Sequence, residues 1–393
     1  MGYPQSSKTE RRRRKRIRVF VAVLLLIVVI AFYFQYSMIA SLSQDFRKKR
    51  PNLRDSPSDT VNVFPYSVTL IAASDVLQLN KLNFAVSTWT GEISVGLCVY
   101  QYDIDEVESI LLGMYLPSRV SVHQHLQHSN SFPINALRNL AIQDVHSSHL
   151  FIADIDIIPS PNLREEFLSL PASALQDPSL AVIVPLFETH FSSQPCSSWS
   201  TCDNVVGMYT RLTKKSLLWC LRFGSCTNLG QKGVNKYYPQ NWDIVSPNQP
   251  LIPLRCWDNP NQEPLLIVRN HDSLPAFNPS FIDYGFNRVE WVNHLRFSGY
   301  QFSVLSQGWA FHARHPLSNW RQLFGKKSDA TKGIRGGTDT RKLFDKAMKK
   351  YQSEALPGTL PACQVQENVV MKETPSAKRE EKKKLIRRIK RVP

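Results

Sequence analysis

Several features that would assign the chain to a common class of protein are missing from its sequence. The 393 residues contain no internal repeat. Seven cysteines are present, but none of them form the C-x2-C pairs that are typical of structural zinc sites, so a zinc site is disfavoured. The sequence has no N-glycosylation sequon, because Asn278-Pro-Ser carries the excluded proline. What the chain does have is an apolar content of 42%, which is ample for a folded core.

Net charge is concentrated at the two ends of the chain. Of the formal +16, residues 1–18 contribute +7 (eight Lys/Arg against one Glu), and residues 372–393 contribute another +7 (ten against three). The middle of the chain is therefore close to neutral. A nucleic-acid-binding domain would carry a basic patch on its folded part, so we expect no nucleic-acid partner.

A long apolar run follows the first basic segment. Residues 19–34 are all apolar or aromatic, and the stretch to Ala40 reaches about 20 residues, which is enough to span a bilayer. The basic residues precede it, so the positive-inside rule places residues 1–18 in the cytoplasm and the rest of the chain in the lumen. We predict a single-pass type II protein of the Golgi membrane, with a signal anchor at 19–40. A cleaved signal peptide is the alternative.

Beyond the anchor, composition divides the chain into a stem, a domain and a tail. Residues 41–62 are polar and charged, as in a flexible spacer, residues 63–360 hold the predicted domain, and residues 361–393 form a disordered basic tail. Within the domain, alternating strand-like and helix-like segments predict an α/β fold with a mostly parallel sheet and flanking helices. The predicted strands are 67–73, 92–100, 118–126 and 149–158, and the predicted helices are 75–89, 105–116 and 134–145.

The fourth predicted strand ends in two carboxylates, Asp154 and Asp156, within the sequence LFIADIDIIPS. Residues i and i+2 of a strand point to the same side, and ligands bind beyond the carboxyl ends of such strands, so both carboxylates can face one ion. Mn2+ or Mg2+ prefers oxygen ligands, and the diphosphate of a UDP-sugar would supply more of them. The pair therefore indicates a metal-dependent glycosyltransferase of the GT-A type.

Two other interpretations of this pair were weighed. The first is a pair of solvent-facing aspartates at a turn. The second is a HAD-type phosphatase, which also ends a strand in D-x-D. We set the phosphatase aside because Ile158 stands where that class has Thr or Val.

Four blocks of sequence, spread over about residues 65–325, resemble glycosyltransferase family 49. They are VTLIAASDVLQLNKLNFAVSTWTGEISVGLCVY, FPINALRNLAI, LFIADIDIIPS and FIDYGFNRVEWVNHLRFSGYQFSVLSQGWAFHARHP. The resemblance implies a GT-A fold in which Asp154 and Asp156 hold Mn2+ and the UDP diphosphate. It also implies that His312 completes the metal site, with His315 as the second histidine of the same motif.

The resemblance further assigns residues to the two sides of the site. Asn135 and Arg138 are three residues apart on a predicted helix, so they share a face. The guanidinium of Arg138 is suited to a diphosphate or a sugar carboxylate, and a salt bridge on the helix surface is the alternative. The donor-side residues are Ala73, Ser74, Asn135, Arg138, Asn139 and Asp154, and the acceptor-side residues are Tyr284, Gly285 and Asn287.

The sequence departs from the family where a catalytic base is expected. An inverting transferase needs a carboxylate that removes the proton of the acceptor hydroxyl. The acidic residue that family members carry before YGFN is missing here, which leaves Asp272 and Asp283 as candidate bases, followed by Glu290. The region 190–260 also differs from the family, and we expect a different acceptor. Its cysteines Cys196, Cys202, Cys220 and Cys226 can form two local disulfides or cross-pair.

These observations predict an inverting, metal-dependent transferase that moves a sugar, with glucuronate preferred, from a UDP-sugar to a glycan or glycoprotein acceptor. One alternative is the same fold with UDP-GlcNAc or UDP-xylose as the donor. The other is a catalytically inactive relative that binds glycans or serves as a scaffold. Intact Asp154, Asp156 and His312 argue against inactivity, whereas the missing acidic residue argues for it.

Overall fold

The computed structural model describes residues 66–129, 131–189, 213–224, 226–228, 242–283, 285–312 and 340–363. All of them belong to one compact unit, Phe64–Pro393. The predicted anchor at 19–40 and the stem at 41–62 lie outside the described residues, as does the tail beyond Cys363. Within the described ranges, no helix is both long and apolar enough to cross a membrane.

The described residues form twelve strands in two sheets. In chain order they are β1 (Val68–Asp75), β2 (Ile93–Tyr100), β3 (Val120–Gln127), β4 (His149–Ile152), β5 (Ile157–Pro159), β6 (Leu180–Val184), β7 (Leu186–Thr189), β8 (Cys226–Asn228), β9 (Leu251–Pro253), β10 (Leu265–Arg269), β11 (Gln301–Leu305) and β12 (Ala310–His312). The larger sheet has the order β3-β2-β1-β4-β10-β6-β11-β9, and the smaller sheet has the order β5-β12-β7-β8. In the larger sheet only β9 and β10 run against the other six strands. The predicted α/β fold with a mostly parallel sheet is confirmed.

Eight α-helices accompany these strands in the described part of the chain. They are α1 (Leu82–Thr88), α2 (Ile104–Gly113), α3 (Ile134–Gln143), α4 (Leu163–Leu168), α5 (Ala172–Gln176), α6 (Lys214–Arg222), α7 (Asn287–Phe297) and α8 (Thr340–Ser353). Three short 3-10 segments, Val76–Lys81, Gln101–Asp103 and Trp242–Ile244, complete the described helical structure.

Three connections pass from the larger sheet into the smaller one. β4 continues into β5 through residues 153–156, β6 into β7 through Pro185, and β11 into β12 through residues 306–309. Because β4, β6 and β11 are parallel, all three connections leave from carboxyl ends on the same edge of the larger sheet. Ligand sites form at this edge in α/β sheets, so these connections are the natural place for a site.

Apolar residues fill the parallel half of the larger sheet. All eight residues of β2 and seven of the eight in β1 are buried, as expected for parallel strands that are covered on both faces. Gly96 in β2 allows α3 to approach closely, because a Cβ atom there would lie 2.1 Å from the carbonyl oxygen of Leu137. The helix that carries Asn135 and Arg138 is thereby held against the strands.

Two sequence predictions about these elements are wrong in detail. The segment 149–158 is not a single strand, because β4 ends at Ile152 and residues 153–156 turn before β5 begins. The segment 75–89 is not a single α-helix. Its first turns, Val76–Lys81, form a 3-10 helix whose N-cap is Asp75, and the α-helix begins at Leu82.

Two disulfides constrain the described residues. Cys220 and Cys226 form a local bridge, which settles that pair in favour of the local alternative. Cys256 bonds to Cys363, a pairing that the sequence did not indicate. The folded unit therefore extends past the predicted boundary at residue 360. Cys196 and Cys202 lie outside the described residues.

Candidate active site

The D-x-D segment forms a turn at the carboxyl end of β4. The amide of Ala153 donates a hydrogen bond to the carbonyl oxygen of Ile71 at 3.0 Å, which extends the pairing with β1 by one residue. The amide of Ile157 then donates to the carbonyl oxygen of Asp154, also at 3.0 Å. Because β4 ends before both aspartates, strand alternation does not set the direction of their side chains. Each carboxylate has its own nearest partners, although the charges of both act on Lys81 and on Arg288.

Asp154 faces two buried guanidinium groups. Nη2 of Arg138 donates to Oδ1 of Asp154 at 3.2 Å, and Nη2 of Arg288 donates to the same oxygen. Both arginine side chains are 2% exposed, whereas that of Asp154 is 35% exposed. The arginines therefore form the buried wall of the cluster and the carboxylate its open side. This burial excludes the alternative of a surface salt bridge for Arg138.

The two arginines are fixed to different degrees. Nη1 of Arg138 also donates to the side-chain oxygens of Asn135 at 3.0 Å and Asn287 at 3.1 Å. By contrast, Nε and Nη1 of Arg288 have no hydrogen-bond partner among the residues that the structure describes. Nε of Arg138 is also without a partner there, and all three of these donor atoms are almost inaccessible to solvent, so Arg288 differs from Arg138 in having a second unpaired nitrogen.

Nearby carboxylates keep both guanidinium groups charged. Burial and the neighbouring charge of Arg288 lower the pKa of Arg138 to about 10, although Asp154 opposes the shift. Burial also disfavours the charged form of Arg288, but Asp154 and Glu263 outweigh it, so the pKa of Arg288 is raised. Both side chains are protonated at neutral pH, and Glu263 lies near enough to contribute to the field at each.

Asp156 faces a histidine and a lysine. Its Oδ2 lies 3.4 Å from Nε2 of His312 in β12 and 3.9 Å from Nζ of Lys81. Lys81 is 1% exposed, and its ammonium donates to Oε1 of Gln78 at 2.8 Å. Burial lowers the pKa of Lys81, and the charge of Asp156 opposes that shift. On the other side of the imidazole, Nδ1 of His312 lies 3.6 Å from Oε1 of Glu188 in β7.

Asp156 and His312 present donors that a divalent ion accepts. Ligand atoms in neighbouring octahedral positions, at bond lengths of about 2.1 Å, lie roughly 3 Å apart, close to the separation of Oδ2 and Nε2. A carboxylate oxygen with an imidazole nitrogen suits Mn2+. These residues therefore fit the predicted ion. Asp154 fits it less well, because its Oδ1 is engaged by both arginines.

The other donor-side residues help to build this edge but turn their polar atoms elsewhere. The hydroxyl of Ser74 is buried and donates to the carbonyl oxygen of Asp75 at 2.9 Å. Asn139 exchanges two hydrogen bonds with the backbone of Phe277, at 2.8 and 3.0 Å. Ala73 packs against a small apolar cluster. In this structure these three residues support the fold around the aspartates.

The predicted acceptor side leads into the helix that carries Arg288. Gly285 has φ +119°, a conformation that L side chains rarely adopt, which explains glycine at this position. Asn287 begins α7, and its side chain and backbone contact Arg138 and Asn135. It therefore lies in the arginine cluster. Tyr284 and His315 lie outside the described residues.

The three candidate bases lie in different surroundings. Asp272 follows β10, which runs antiparallel to β4, so Asp272 lies at the opposite edge of the sheet from Asp154. The carboxylate of Asp283 accepts a hydrogen bond from the amide of Phe132 at 2.7 Å and is 9% exposed. Glu290 is 1% exposed and accepts a hydrogen bond from the hydroxyl of Tyr351.

Four charged residues of this cluster were not identified from the sequence, namely Lys81, Glu188, Glu263 and Arg288. One signal was available for Arg288, which directly follows Asn287 in the quoted block FIDYGFNRVEW. Lys81 likewise lies in the quoted block VTLIAASDVLQLNKLNF, in the 3-10 segment after β1. No comparable local signal exists for Glu188 and Glu263, because strand pairing brings them to the cluster. Glu263 precedes β10 and so lies at the same edge as the D-x-D turn.

Comparison with known proteins assigns the chain to a family. The sequence profile described as "Glycosyl-transferase for dystroglycan", which is glycosyltransferase family 49, matches residues 113–331, more than half of the chain. The chain belongs to this family. The resemblance carried by the four sequence blocks is thereby confirmed, and the matched range of family 49 includes the D-x-D turn, Arg288 and His312.

Individual relatives have low sequence identity to the chain, but their matches cover about two thirds of it or more. The glycosyltransferase-like protein gnt14 of Dictyostelium discoideum is 26% identical over 266 residues, 66% of this chain and 39% of that protein. The xylosyl- and glucuronyltransferase LARGE2s of Gallus gallus is 26% identical over 301 residues, 74% of this chain and 38% of its own length. LARGE1 of Homo sapiens, also a xylosyl- and glucuronyltransferase, is 25% identical over 64% of this chain and 32% of its own length. The match to this chain therefore covers less than two fifths of the length of each of these relatives.

Proposed function

We propose that the chain is a metal-dependent, inverting glycosyltransferase of the GT-A type that transfers glucuronate from a UDP-sugar to a glycan or glycoprotein acceptor. The observation that supports this best is the D-x-D turn, in which Asp154 faces two buried arginines and Asp156 faces a histidine. We further propose that residues 19–40 anchor the protein in the Golgi membrane with the transferase domain in the lumen.

In this proposal the arginines near Asp154 bind the donor, and Asp156 with His312 binds the metal ion. Arg288 and Arg138 bind oxygen atoms of the donor, since guanidinium groups form charge-assisted, often bidentate hydrogen bonds with phosphates and carboxylates. Asp156 and His312 hold the Mn2+ ion, which neutralises the departing nucleoside diphosphate when bound. Lys81 keeps the carboxylate of Asp156 in place from its buried side.

Glu263 replaces Asp272 as our candidate for the base that receives the acceptor proton. It is half-buried, precedes β10 at the edge of the D-x-D turn, and influences the charge of both arginines. A carboxylate near the reacting carbon on the face opposite the leaving group is what an inverting displacement requires. Asp283 ranks behind Glu263, because its carboxylate is committed to the backbone of Phe132.

Two observations favour a charged donor sugar. Two of the three relatives described above are named as xylosyl- and glucuronyltransferases. In addition, the buried wall of the site carries two guanidinium groups, so one can bind the diphosphate and the other a sugar carboxylate. A neutral donor such as UDP-GlcNAc or UDP-xylose is the alternative, because a diphosphate could occupy both groups by itself.

The decisive experiment measures UDP release by the purified full-length chain. UDP-glucuronate, UDP-xylose, UDP-GlcNAc, UDP-glucose and UDP-galactose are tested with Mn2+ and with EDTA. The variant Asp156→Ala removes a proposed metal ligand, and Asp272→Ala is the matched control, an exposed aspartate at the opposite edge.

We expect Mn2+-dependent UDP release from one donor, lost in Asp156→Ala and retained in Asp272→Ala. Release from UDP-xylose or UDP-GlcNAc alone would replace glucuronate as the donor and leave the transferase proposal standing. If no donor releases UDP and calorimetry detects no UDP binding, the enzyme proposal fails. An inactive, glycan-binding or scaffold protein would then be the better account.

A further inference from the structure

We propose that Glu188 is a positioning residue that orients the imidazole of His312 toward a bound divalent ion. This inference rests on the proposed function, because the ion concerned is the one that His312 and Asp156 would hold. Oε1 of Glu188 lies 3.6 Å from Nδ1 of His312, and Nε2 of His312 lies 3.4 Å from Oδ2 of Asp156. The imidazole therefore lies between two carboxylates, with one ring nitrogen toward each.

The smaller sheet sets this arrangement. β12 lies between β5 and β7, so His312 pairs with Ile157 on one side and with Glu188 on the other. Residues that are paired directly across neighbouring strands present their side chains on the same face. Asp156 lies in the turn before β5, outside the strand alternation, and its carboxylate contacts the imidazole from there. The side chains of Glu188 and His312 are 18% and 23% exposed, so solvent competes only weakly for their contact.

The position of His312 between Glu188 and Asp156 affects which of its ring nitrogens carries a proton. In neutral histidine one ring nitrogen donates and the other accepts, and the partner of one nitrogen decides the state of both. The 3.6 Å separation is longer than a hydrogen bond, so the proposed contact requires Glu188 and the imidazole to approach one another. When Nδ1–H donates to Glu188, the lone pair of Nε2 points at Oδ2 of Asp156. Two acceptor atoms that face one another in this way repel unless a positive charge lies between them. A second proton on the imidazole supplies that charge in the absence of metal, and a divalent ion would replace that proton. A carboxylate behind a metal-binding histidine fixes the ring and raises its basicity.

The test measures Mn2+ affinity directly, by the electron paramagnetic resonance signal of free Mn2+ during titration of the full-length chain. Glu188→Ala should weaken binding by about 10–100-fold, and Glu188→Gln by no more than about threefold, because the amide oxygen still accepts from Nδ1–H. In a His312→Ala background, Glu188→Ala should have no further effect, because a residue that acts through His312 is not additive with it. Glu108→Ala removes an exposed carboxylate from α2 and is the control for charge alone.

Several results would overturn the proposal. Glu188 does not act through the imidazole if Glu188→Ala binds Mn2+ like the wild type, if Glu188→Gln loses as much as Glu188→Ala, or if the loss persists without His312. UDP release separates this failure from failure of the proposed function. A wild-type chain that binds no Mn2+ but releases UDP from a UDP-sugar in EDTA would remain a transferase, and the role of Glu188 would be refuted.

Discussion

Replacing the two buried arginines one at a time should separate stability from ligand binding. Arg138→Met would leave the side-chain oxygens of Asn135 and Asn287 without their guanidinium donor, at about 1–3 kcal/mol for each buried acceptor. The lost contact with Asp154 counts for less, because that carboxylate is 35% exposed. We therefore expect Arg138→Met to lower the free energy of unfolding by about 3–5 kcal/mol.

The expectation for Arg288→Met is different. This substitution removes one charge-assisted hydrogen bond, worth about 1.5–3 kcal/mol, and leaves Asp154 paired with Arg138. It also removes a buried cation whose Nε and Nη1 have no hydrogen-bond partner among the described residues. The desolvation penalty of such an ion is several kcal/mol, so the two effects oppose each other. We expect the free energy of unfolding to stay within about 1 kcal/mol of the wild type.

Guanidinium chloride denaturation, followed by tryptophan fluorescence, gives the stabilities, and calorimetry gives the affinity for UDP in the presence of Mn2+. Both variants should lose UDP affinity, but only Arg138→Met should shift the denaturation midpoint substantially. The reasoning is refuted if Arg288→Met is destabilised as much as Arg138→Met. It is also refuted if Arg288→Met binds UDP and the UDP-sugar donor as well as the wild type does.

Three further substitutions test the packing of the fold, its long-range disulfide and the proposed catalytic base. Gly96→Ala should lower the free energy of unfolding by about 1–3 kcal/mol or more, because its Cβ would lie 2.1 Å from a backbone oxygen of α3. Gly113→Ala is the control and should not destabilise the fold, because its Cβ would have no atom within 4 Å. Thermal unfolding compares the two variants. Cys256→Ser should cost about 4–5 kcal/mol in a denaturant titration, because its disulfide closes a loop over a sequence separation of 107. Glu263→Gln should lower kcat by about 10²–10⁴-fold with UDP affinity unchanged, while Asp272→Asn leaves steady-state kinetics unaltered.

Local sequence patterns predicted the features whose causes are local. The strands β1, β2 and β3 were predicted to within two residues at each end, because β1 and β2 are apolar runs and β3 alternates apolar and polar residues. Asp154 and Asp156 stood out because two carboxylates after a buried apolar run are costly unless they serve a site. The shared face of Asn135 and Arg138 also follows from helix geometry alone, and a hydrogen bond joins their side chains at 3.0 Å.

Features that depend on strand direction and long-range contact were not predictable from the sequence. Arg288 reaches Asp154 across 134 residues of sequence, and no periodicity encodes that contact. The segment that became β10 was not predicted as a strand, and its antiparallel direction removes Asp272 from the site and brings Glu263 to it. The bridge between Cys256 and Cys363 is long-range in the same way, whereas Cys220–Cys226 is short enough to be proposed from spacing.

The two aspartates in the turn between β4 and β5 have different nearest contacts, although the sequence alone suggests that they act together on one ion. Asp154 lies two residues beyond β4 and faces the arginines of α3 and α7, whereas Asp156 directly precedes β5 and faces His312 of the smaller sheet. An intact strand through residues 149–158 would have turned both carboxylates to one face. With the strand broken, the turn has a cationic part around Asp154 and a carboxylate–imidazole part around Asp156, and the charge of each aspartate also acts on the other part. The two parts remain joined by the single residue Ile155, which is 4% exposed and packed in the core between the sheets' connections. Any movement of the turn would therefore displace both parts together.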